Sequence, residues 1–343
     1  MNVDERTLPR EAPRHVDVLI LTAVQDELQA VLDLGKGWIE SRDVEGFRLY
    51  TREFVTSRGQ PFTIAAAWIG EMGKQPTAIR GKQLLDELHP ACLAMCGVCA
   101  GHRQEVALGD VIVADQIWAM DEGKRVVEPG KPEVFYHALR TFDLPPNWTM
   151  DASFLAREFD TSVLQAKRPP TRDSQLRWIL HTLYQHETNG TPAPMSHPDR
   201  AKACPSWTEL IRQAQMQEWI VRKGASLVLT ESGRDKVEAD FVEYPDGLPG
   251  PAPLRVHVGA IATVSAVEKN PHIFDRLRLH VRNTIGIEME GSAIGDLARR
   301  FDKRALLVKA VQDFADGTKD DTFRQFACEA AARFLLALLE KHF

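Results

Sequence analysis

Short apolar runs alternate with amphipathic stretches at both ends of this chain, and this alternation limits the possible folds more than any other feature. Apolar residues dominate the runs 16–22 and 91–96, which is typical of strands buried in a parallel sheet. Residues 25–34 carry apolar side chains at helical spacing, and the alternation resumes at 256–262 before a long amphipathic stretch over 322–343. Strands that alternate with helices predict an α/β domain with a mainly parallel sheet.

The middle of the chain has a different character, and proline clusters lie at both of its borders. A helical stretch over 206–221 is followed by a short strand over 227–229 and the segment LTESG. This order resembles a small winged-helix-like module, although an ordinary helical insertion fits the pattern as well. We therefore predict one discontinuous α/β domain, residues 14–145 plus 254–343, interrupted by an inserted module over 146–253.

Charge and cysteine content exclude several classes of protein. The formal net charge of −6 and the isoelectric point near 6.0 argue against a nucleic-acid partner, because nucleic-acid-binding proteins usually carry a basic footprint. The cysteine count of 5 is odd, and a chain of 343 residues needs no disulfide framework. Cys92, Cys96 and Cys99 lie in an apolar run without a histidine-rich partner, so we expect buried thiols and no metal site.

Signals for a membrane or for secretion are missing from the sequence. The first 15 residues are polar and of mixed charge, without the apolar core of a signal peptide, and no run of 18 uninterrupted apolar residues occurs. We therefore expect a cytoplasmic protein with no membrane partner.

Acidic residues follow directly on three of the apolar runs. Asp26 and Glu27 follow the run 16–22, Glu288 and Glu290 flank a methionine in the run 285–290, and Asp313 follows the run 306–311. Each has a structural alternative, because acids also favour helix N-termini and serve as helix caps. Ligands of open α/β sheets bind at the carboxyl ends of the strands, so these acids are candidates for general acid–base chemistry at one shared site.

Four motifs in order carry a resemblance to a known family. The segments LILTAVQDEL (19–28), GVCAGHRQEVALGDVIVAD (97–115), IGIEMEGSAI (285–294) and VKAVQDFADGTKDD (308–321) resemble motifs of the purine nucleoside phosphorylase and methylthioadenosine/S-adenosylhomocysteine nucleosidase superfamily. The resemblance covers about 200 residues at the two ends of the chain. It implies a central mixed sheet flanked by helices, cleavage of a purine N-glycosidic bond, and no cofactor.

The resemblance also assigns roles to particular residues. Asp313 matches the acid that protonates the purine, Glu290 the carboxylate that holds the ribose hydroxyls, and Met289 the side chain that packs on the sugar. Glu27 matches the residue that positions the attacking water, and Cys99 stands where nucleosidases carry a serine. The further substrate contacts implied by the same motifs and by the strand end near 265 are Glu288, Gly101, Ser265, Val267 and Phe314.

Two departures from the family pattern concern specificity. Gln312 replaces the serine usual before the catalytic aspartate, and the segment 265–267 lacks the aromatic residue that often stacks on the base. The sequence therefore leaves open whether the 5′ group of the substrate is a hydroxyl, a thioether or a triphosphate. For a triphosphate, the candidate phosphate-binding residues beside the glycine-rich segments are Lys74, His102 and Arg103.

The presence of Glu27 favours hydrolysis over phosphorolysis, because an acid at that position repels phosphate. The insertion points to a specialised relative, and bacterial antiviral effectors of this superfamily cleave adenine from ATP. We therefore predict a purine nucleosidase acting on an adenine nucleoside or nucleotide, assembled as a homo-oligomer (dimer, trimer or hexamer). The alternatives are a phosphate-dependent phosphorylase and a non-catalytic nucleotide sensor that signals through the insertion.

Overall fold

The computed structural model describes residues 15–44, 46–127, 130, 133–316 and 321–342. The polar N-terminal stretch and residues 317–320 of the last motif lie outside the described residues. The chain divides into two compact units: a first unit of the residues up to Lys167 with those from Leu254 onward, and a second unit, Arg168–Pro253. The second unit thus begins later than the border at 146 that the prolines indicate.

The strands are β1 (Val18–Thr22), β2 (Ile39–Val44), β3 (Phe47–Val55), β4 (Pro61–Trp68), β5 (Cys92–Gly101), β6 (Val111–Ala119), β7 (Gly123–Val126), β8 (Val134–His137), β9 (Thr141–Asp143), β10 (Ile220–Lys223), β11 (Ser226–Leu229), β12 (Val256–Thr263), β13 (Thr284–Glu288) and β14 (Arg304–Asp313). The helices are α1 (Gln25–Asp33), α2 (Lys74–Leu88), α3 (Pro146–Glu158), α4 (Ser162–Lys167), α5 (Arg172–Asn189), α6 (Arg200–Ala203), α7 (Trp207–Met216), α8 (Glu231–Glu243), α9 (Ile273–Arg278), α10 (Gly291–Arg300) and α11 (Arg324–His342).

A ten-stranded sheet in the order β13-β12-β6-β14-β5-β1-β4-β3-β2, with β9 beside β6, forms the first unit. The expected central mixed sheet is confirmed: β4, β1, β5 and β14 pair parallel, as do β6, β12 and β13, whereas β14 pairs antiparallel with β6 and the β2-β3-β4 edge is antiparallel. The end of β5 also pairs with β13, which closes β13, β12, β6, β14 and β5 into a circuit.

Helices cover both faces of this sheet, and alternate residues of each strand face opposite sides. In β1, Val18 and Ile20 pack in one apolar core with the long helix α11, whereas Leu19 and Leu21 pack in a second core with α2 and α10. Helix α11 is rich in alanine and leucine and buries most of its length, so it anchors one face of the sheet. All five cysteines of the chain are buried free thiols.

The second unit has a small core of its own around α5, α7, α8 and the antiparallel hairpin β10–β11. The predicted helix over 206–221 ends earlier than expected, at Met216. Glu218 adopts a left-handed φ of 57°, and Ile220 then pairs with Leu229 in the hairpin. Within the residues that the structure describes, none of the helices is both long and apolar enough to span a bilayer.

Candidate active site

A cavity of about 190 Å³ opens where the carboxyl ends of β5, β13 and β14 meet the beginning of α1. It brings together residues from segments that are far apart in the sequence, as expected for ligand sites of α/β sheets. Its polar lining consists of Glu27, Cys99, Glu268, Glu288, Glu290, Gln312, Asp313 and Arg324. Its apolar lining consists of Ala23, Val24, Met72, Val98, Ala100, Val264, Ala266, Val267, Ile287 and Met289.

Glu27 is buried at one side of the cavity and is held by three backbone N–H groups. Its Oε2 accepts hydrogen bonds from the amides of Ala23 (2.9 Å) and Val24 (3.2 Å), and its Oε1 accepts one from Val98 (3.0 Å). Gly97 makes this possible, because a Cβ on that residue would overlap the carboxylate of Glu27. The three bonds compensate the burial of the charge and fix the direction of the carboxylate.

Glu288 and Glu290 have different tasks although only Met289 separates them. Oε2 of Glu288 accepts the amides of Glu290 and Gly291 at 2.8 Å each, and its Oε1 accepts the hydroxyl of Thr263 at 2.7 Å. The carboxylate of Glu288 therefore stabilises the N-terminus of α10. Glu290 accepts one hydrogen bond, from the amide of Gly73 at 2.8 Å, and its remaining lone pairs are open to a ligand.

Lys309 lies on β14 beneath these acids and is 1% exposed. Its Nζ is 3.6 Å from Oε2 of Glu288 and 3.7 Å from Oε2 of Glu290. Burial lowers the pKa of Lys309, but the negative charges of Glu27, Glu288 and Glu290 outweigh burial and raise it above its ordinary value. Lys309 therefore stays charged and offsets part of the negative charge of the three carboxylates.

Burial changes the proton affinity of two further groups at the cavity. It raises the pKa of Glu290 to about 7; the charge of Lys309 lowers it, and the charges of Glu288 and Glu27 raise it further. Burial also raises the pKa of the Cys99 thiol, so this side chain is a neutral wall of the cavity rather than a nucleophile.

Asp313 is the last residue of β14 and lines the cavity. Between Val311 and Asp313 the pairing with β5 shifts register, an irregularity that redirects the end of the strand. Oδ1 of Asp313 accepts the amide of Ala315 at 2.9 Å, and Oδ2 accepts Nε2 of Gln312 at 3.1 Å. Gln312, which stands where the family usually has serine, thus orients the carboxylate.

Comparison with known proteins assigns the family. The sequence model of the protein family described as "Phosphorylase superfamily" matches residues 17–341. The chain belongs to this superfamily. It is 23% identical over 98% of its length to the "Death domain-containing ATP nucleosidase" of Amphimedon queenslandica, and 23% identical over 92% to the "ATP nucleosidase Cap17" of Escherichia coli. The chain covers only 50% and 49% of these two relatives, about half the length of each.

Solved structures of two hydrolytic enzymes share the fold. The 5′-methylthioadenosine/S-adenosylhomocysteine nucleosidase of Neisseria meningitidis, in complex with methylthio-immucillin-A, superposes with a TM-score of 0.56 at 14% identity and covers 94% of this chain and 98% of its own. The futalosine hydrolase of Helicobacter pylori gives 0.55 at 13% identity, covering 94% and 97%. The predicted family and fold are therefore confirmed.

The structure brings most of the predicted residues to the cavity. Glu27, Cys99, Glu288, Met289, Glu290, Val267 and Asp313 line it, whereas Gly101, Ser265 and Phe314 lie beside it. Gly101 packs closely against Val106 and Val311, and the amide of Ser265 donates to Asp121. For each of these residues a contact with substrate stays a prediction.

The three phosphate-binding candidates do not line this cavity. His102 is 8% exposed and stacks on Phe274, while Arg103 lies over Phe314 and pairs with Asp316 at 2.5 Å. Lys74 begins α2 and lines a separate groove together with residues of α10.

Two cations at the site were not singled out from the sequence. Lys309 had a visible signal, because a lysine inside the apolar strand LLVKAV is almost never buried without carboxylate partners. Arg324 follows the last motif and gave no such signal; in the structure it lines the cavity, with Nε 3.0 Å from Oδ2 of Asp26. Among the described residues, no three histidines, cysteines or acids are grouped so as to hold a metal ion.

Proposed function

We propose that this chain hydrolyses the N-glycosidic bond of an adenine nucleotide, with ATP or dATP as substrate, and releases free adenine. The observation that carries the proposal is the convergence of Glu27, Glu290 and Asp313, three buried acids from three separate segments, on one cavity. In the reaction the bond between C1′ and the base breaks, the oxygen of water bonds to C1′, and the base leaves with a proton.

Each acid matches one requirement of that reaction. Asp313 supplies the proton or hydrogen bond that the departing purine needs at N7, because charge develops on the base as the bond breaks. Glu27 accepts the proton of the attacking water and is held for this by backbone amides on two sides. Glu290 has free lone pairs for the ribose hydroxyls, and Met289 beside it offers an apolar surface to the sugar.

The charge of the cavity favours water over phosphate as the acceptor. Glu27 is fixed in the cavity, and Lys309 is buried under Glu288 and Glu290 and already balanced by them. Arg324 is the one remaining cation among the described lining residues. A phosphate ion at the position of the attacking water would meet the fixed carboxylate of Glu27, and Arg324, which already pairs with Asp26, is the one described lining cation left to offset that repulsion.

A nucleotide rather than a nucleoside substrate is supported by the relatives and by Arg324. Both relatives compared above are named ATP nucleosidases. The side chain of Arg324 is 34% exposed at the cavity edge, so it can pair with the 5′-phosphates while these remain partly in water. The wider role that we propose is ATP degradation as an antiviral effector, by a homo-oligomer in the cytoplasm.

A substrate panel tests the function directly. The full chain is incubated with ATP, dATP, adenosine and methylthioadenosine, each with and without inorganic phosphate, and adenine and the sugar product are quantified by chromatography. The proposal expects adenine and ribose triphosphate from ATP without phosphate. Release only with phosphate would establish a phosphorylase, faster cleavage of methylthioadenosine would remove the nucleotide assignment, and binding without release would leave a sensor.

A further inference from the structure

The second unit has ion-paired cations on α5 and α8, and exposed cations without a carboxylate partner among the described residues on the elements between them. On α5 and α8, Arg177 lies near Asp240 and Arg234 pairs with Glu187. On α6, α7 and β10, by contrast, four exposed cations have no carboxylate partner within the part of the chain that the structure describes: Lys202, Arg212, Arg222 and Lys223. Over residues 199–223 five cations outnumber three acids, so this stretch of the second unit has a positive local charge.

Helix α7 separates an apolar from a polar side in a regular way. Leu210 and Ala214 are fully buried in the core of the second unit. Thr208, Arg212 and Gln215 recur at intervals of four and three residues and therefore lie on one common side of the helix, away from that core. Arginine and glutamine are side chains that form bidentate hydrogen bonds to guanine and adenine edges, and threonine also bonds to bases.

The order of elements around α7 matches a known way of presenting a helix to DNA. Helices α5, α6 and α7 are followed directly by the hairpin β10–β11, which is the arrangement of a helix-turn-helix with an attached wing. The tip of the hairpin is Gly224-Ala225, where Gly224 has a φ of 62° and both residues are exposed. Arg222 and Lys223 lie beside this unobstructed tip.

We propose that the second unit binds double-stranded DNA, with α7 in the major groove and the hairpin β10–β11 along the adjacent phosphate backbone. B-form DNA admits a helix because its major groove is about 12 Å wide. The major groove of A-form RNA is too narrow for a helix, so the same surface disfavours double-stranded RNA. This activity is separate from the proposed hydrolysis and does not rest on it.

The net charge of the whole chain argued against a nucleic-acid partner, but it averages over two unlike surfaces. Four exposed acids of the second unit, Glu231, Asp235, Glu238 and Glu243, lie on α8, after the hairpin in the chain. Residues 199–223 also carry three acids, Asp199, Glu209 and Glu218, but the five cations of that stretch outnumber them. Local charge, not net charge, decides contact with phosphates.

The number of phosphate contacts predicts how strongly DNA affinity should depend on salt concentration. If the four unpaired cations each neutralise one phosphate, the logarithm of the binding constant falls with the logarithm of the salt concentration with a slope of about −3.6. Affinity for duplex DNA should then be roughly 100-fold weaker at 200 mM than at 50 mM salt.

The test measures fluorescence anisotropy of a labelled random-sequence duplex of about 30 base pairs with the full chain. The test variant replaces the four unpaired cations by alanine: Lys202→Ala, Arg212→Ala, Arg222→Ala and Lys223→Ala. A control variant of identical net charge replaces two exposed lysines and two exposed arginines of the first unit: Lys36→Ala, Lys124→Ala, Arg58→Ala and Arg282→Ala. The double variant Arg222→Ala/Lys223→Ala, confined to the exposed hairpin, keeps the test valid if the fourfold variant misfolds.

The proposal expects the wild type and the control to bind the duplex with the stated salt dependence. It expects the fourfold variant to bind at least tenfold more weakly, and the hairpin double variant to lose part of that affinity. No binding by the wild type at 50 mM salt would overturn it. Equal losses in the test and control variants, or stronger binding of double-stranded RNA of the same sequence, would overturn it as well.

Discussion

The ammonium nitrogen of Lys309 lies 3.7 Å from Oε2 of Glu290, and the two side chains are 1% and 6% exposed. This pair joins β14 to the residue at which α10 begins, so it connects the sheet to the candidate ribose contact. Lys309 also lies beside Glu288, and the charge of Glu27 raises its pKa. One cation thus interacts with all three buried glutamates.

Replacing Lys309 by methionine should destabilise the protein and abolish base release. Removing one partner of a buried ion pair costs about 3–5 kcal/mol, because the carboxylates that remain are uncompensated. The loss in free energy of unfolding should be smaller at pH 5 than at pH 8, since the stranded carboxylates can take up protons. Urea titrations at both pH values measure it, with Lys303→Met as the control; equal losses for both variants would contradict the role of Lys309.

Glu290→Gln should change how stability depends on pH. Because the folded-state pKa of Glu290 is raised to about 7, its contribution to stability is complete below the ordinary carboxyl pKa of about 4.5 and is lost as the pH rises through 7. The side-chain oxygen of the glutamine can still accept a hydrogen bond from the backbone N–H of Gly73, but the side chain cannot ionise. The variant should therefore gain up to about 3 kcal/mol relative to wild type between pH 5 and pH 8. Parallel pH profiles of unfolding for the two proteins would exclude the raised pKa; Glu268→Gln is the control.

Asp313→Asn should slow adenine release by about 10² to 10⁴ while the fold persists, because the amide cannot donate a carboxyl proton to the purine. Single-turnover release of adenine measures the chemical step. Asp316→Asn is a matched control in the same segment, where the carboxylate pairs with Arg103 outside the cavity. A folded Asp313→Asn variant that retains more than about a tenth of wild-type turnover would refute the assignment.

Gly97→Ala should displace Glu27, since the added Cβ would overlap its carboxylate. We expect a loss of about 1–3 kcal/mol in the free energy of unfolding and at least a tenfold lower rate of base release. Gly250→Ala, where a Cβ meets open space, serves as the control. Normal activity in Gly97→Ala would show that the position of Glu27 does not matter for the attack of water.

Arg324→Ala should lower kcat/KM for ATP by about 10- to 100-fold and leave adenosine within a factor of about two, because only the nucleotide presents phosphates to the guanidinium. Arg103→Ala, at the residue favoured from the sequence, should affect both substrates equally. Steady-state kinetics on the two substrates decide between the two arginines. If only Arg103→Ala lowers kcat/KM for ATP selectively, the phosphates are bound at the glycine-rich segment and not by Arg324.

The fold could be predicted as far as local patterns reach. The run of β1 and the periodicity of α1 and α11 are local signals, and the structure has these elements close to the expected bounds. β5 begins as expected but continues through the glycine-rich segment to Gly101, five residues beyond the predicted run. The closure of the sheet by β5 and β13 joins residues near 100 to residues near 286, and no local pattern encodes such a pairing. Helix α7 was predicted too long because Ile220 and Val221 continue its apolar spacing but pair with β11 instead.

The candidate site was predictable where a motif contains the acid itself. Glu27, Glu290 and Asp313 each follow an apolar run, and all three reach one cavity. The role of Glu288 as a partner of backbone amides at α10 depends on Thr263, which lies on a different strand, so sequence spacing could not separate it from Glu290. His102 contacts Phe274 and Arg103 pairs with Asp316. Both partners are distant in the sequence, so only the tertiary structure reveals them.

The buried cluster of Lys309 with Glu27, Glu288 and Glu290 restricts how such a chain can evolve. Changing Lys309 alone leaves three carboxylates in the protein interior without a cation, so this step lowers stability before it can alter specificity. Lys309 can therefore change only together with the acids of the cluster, which lie in two other segments of the chain. New specificities should arise first at the cavity edge, at Met72 and Val267, which are 58% and 55% exposed and bear none of this charge.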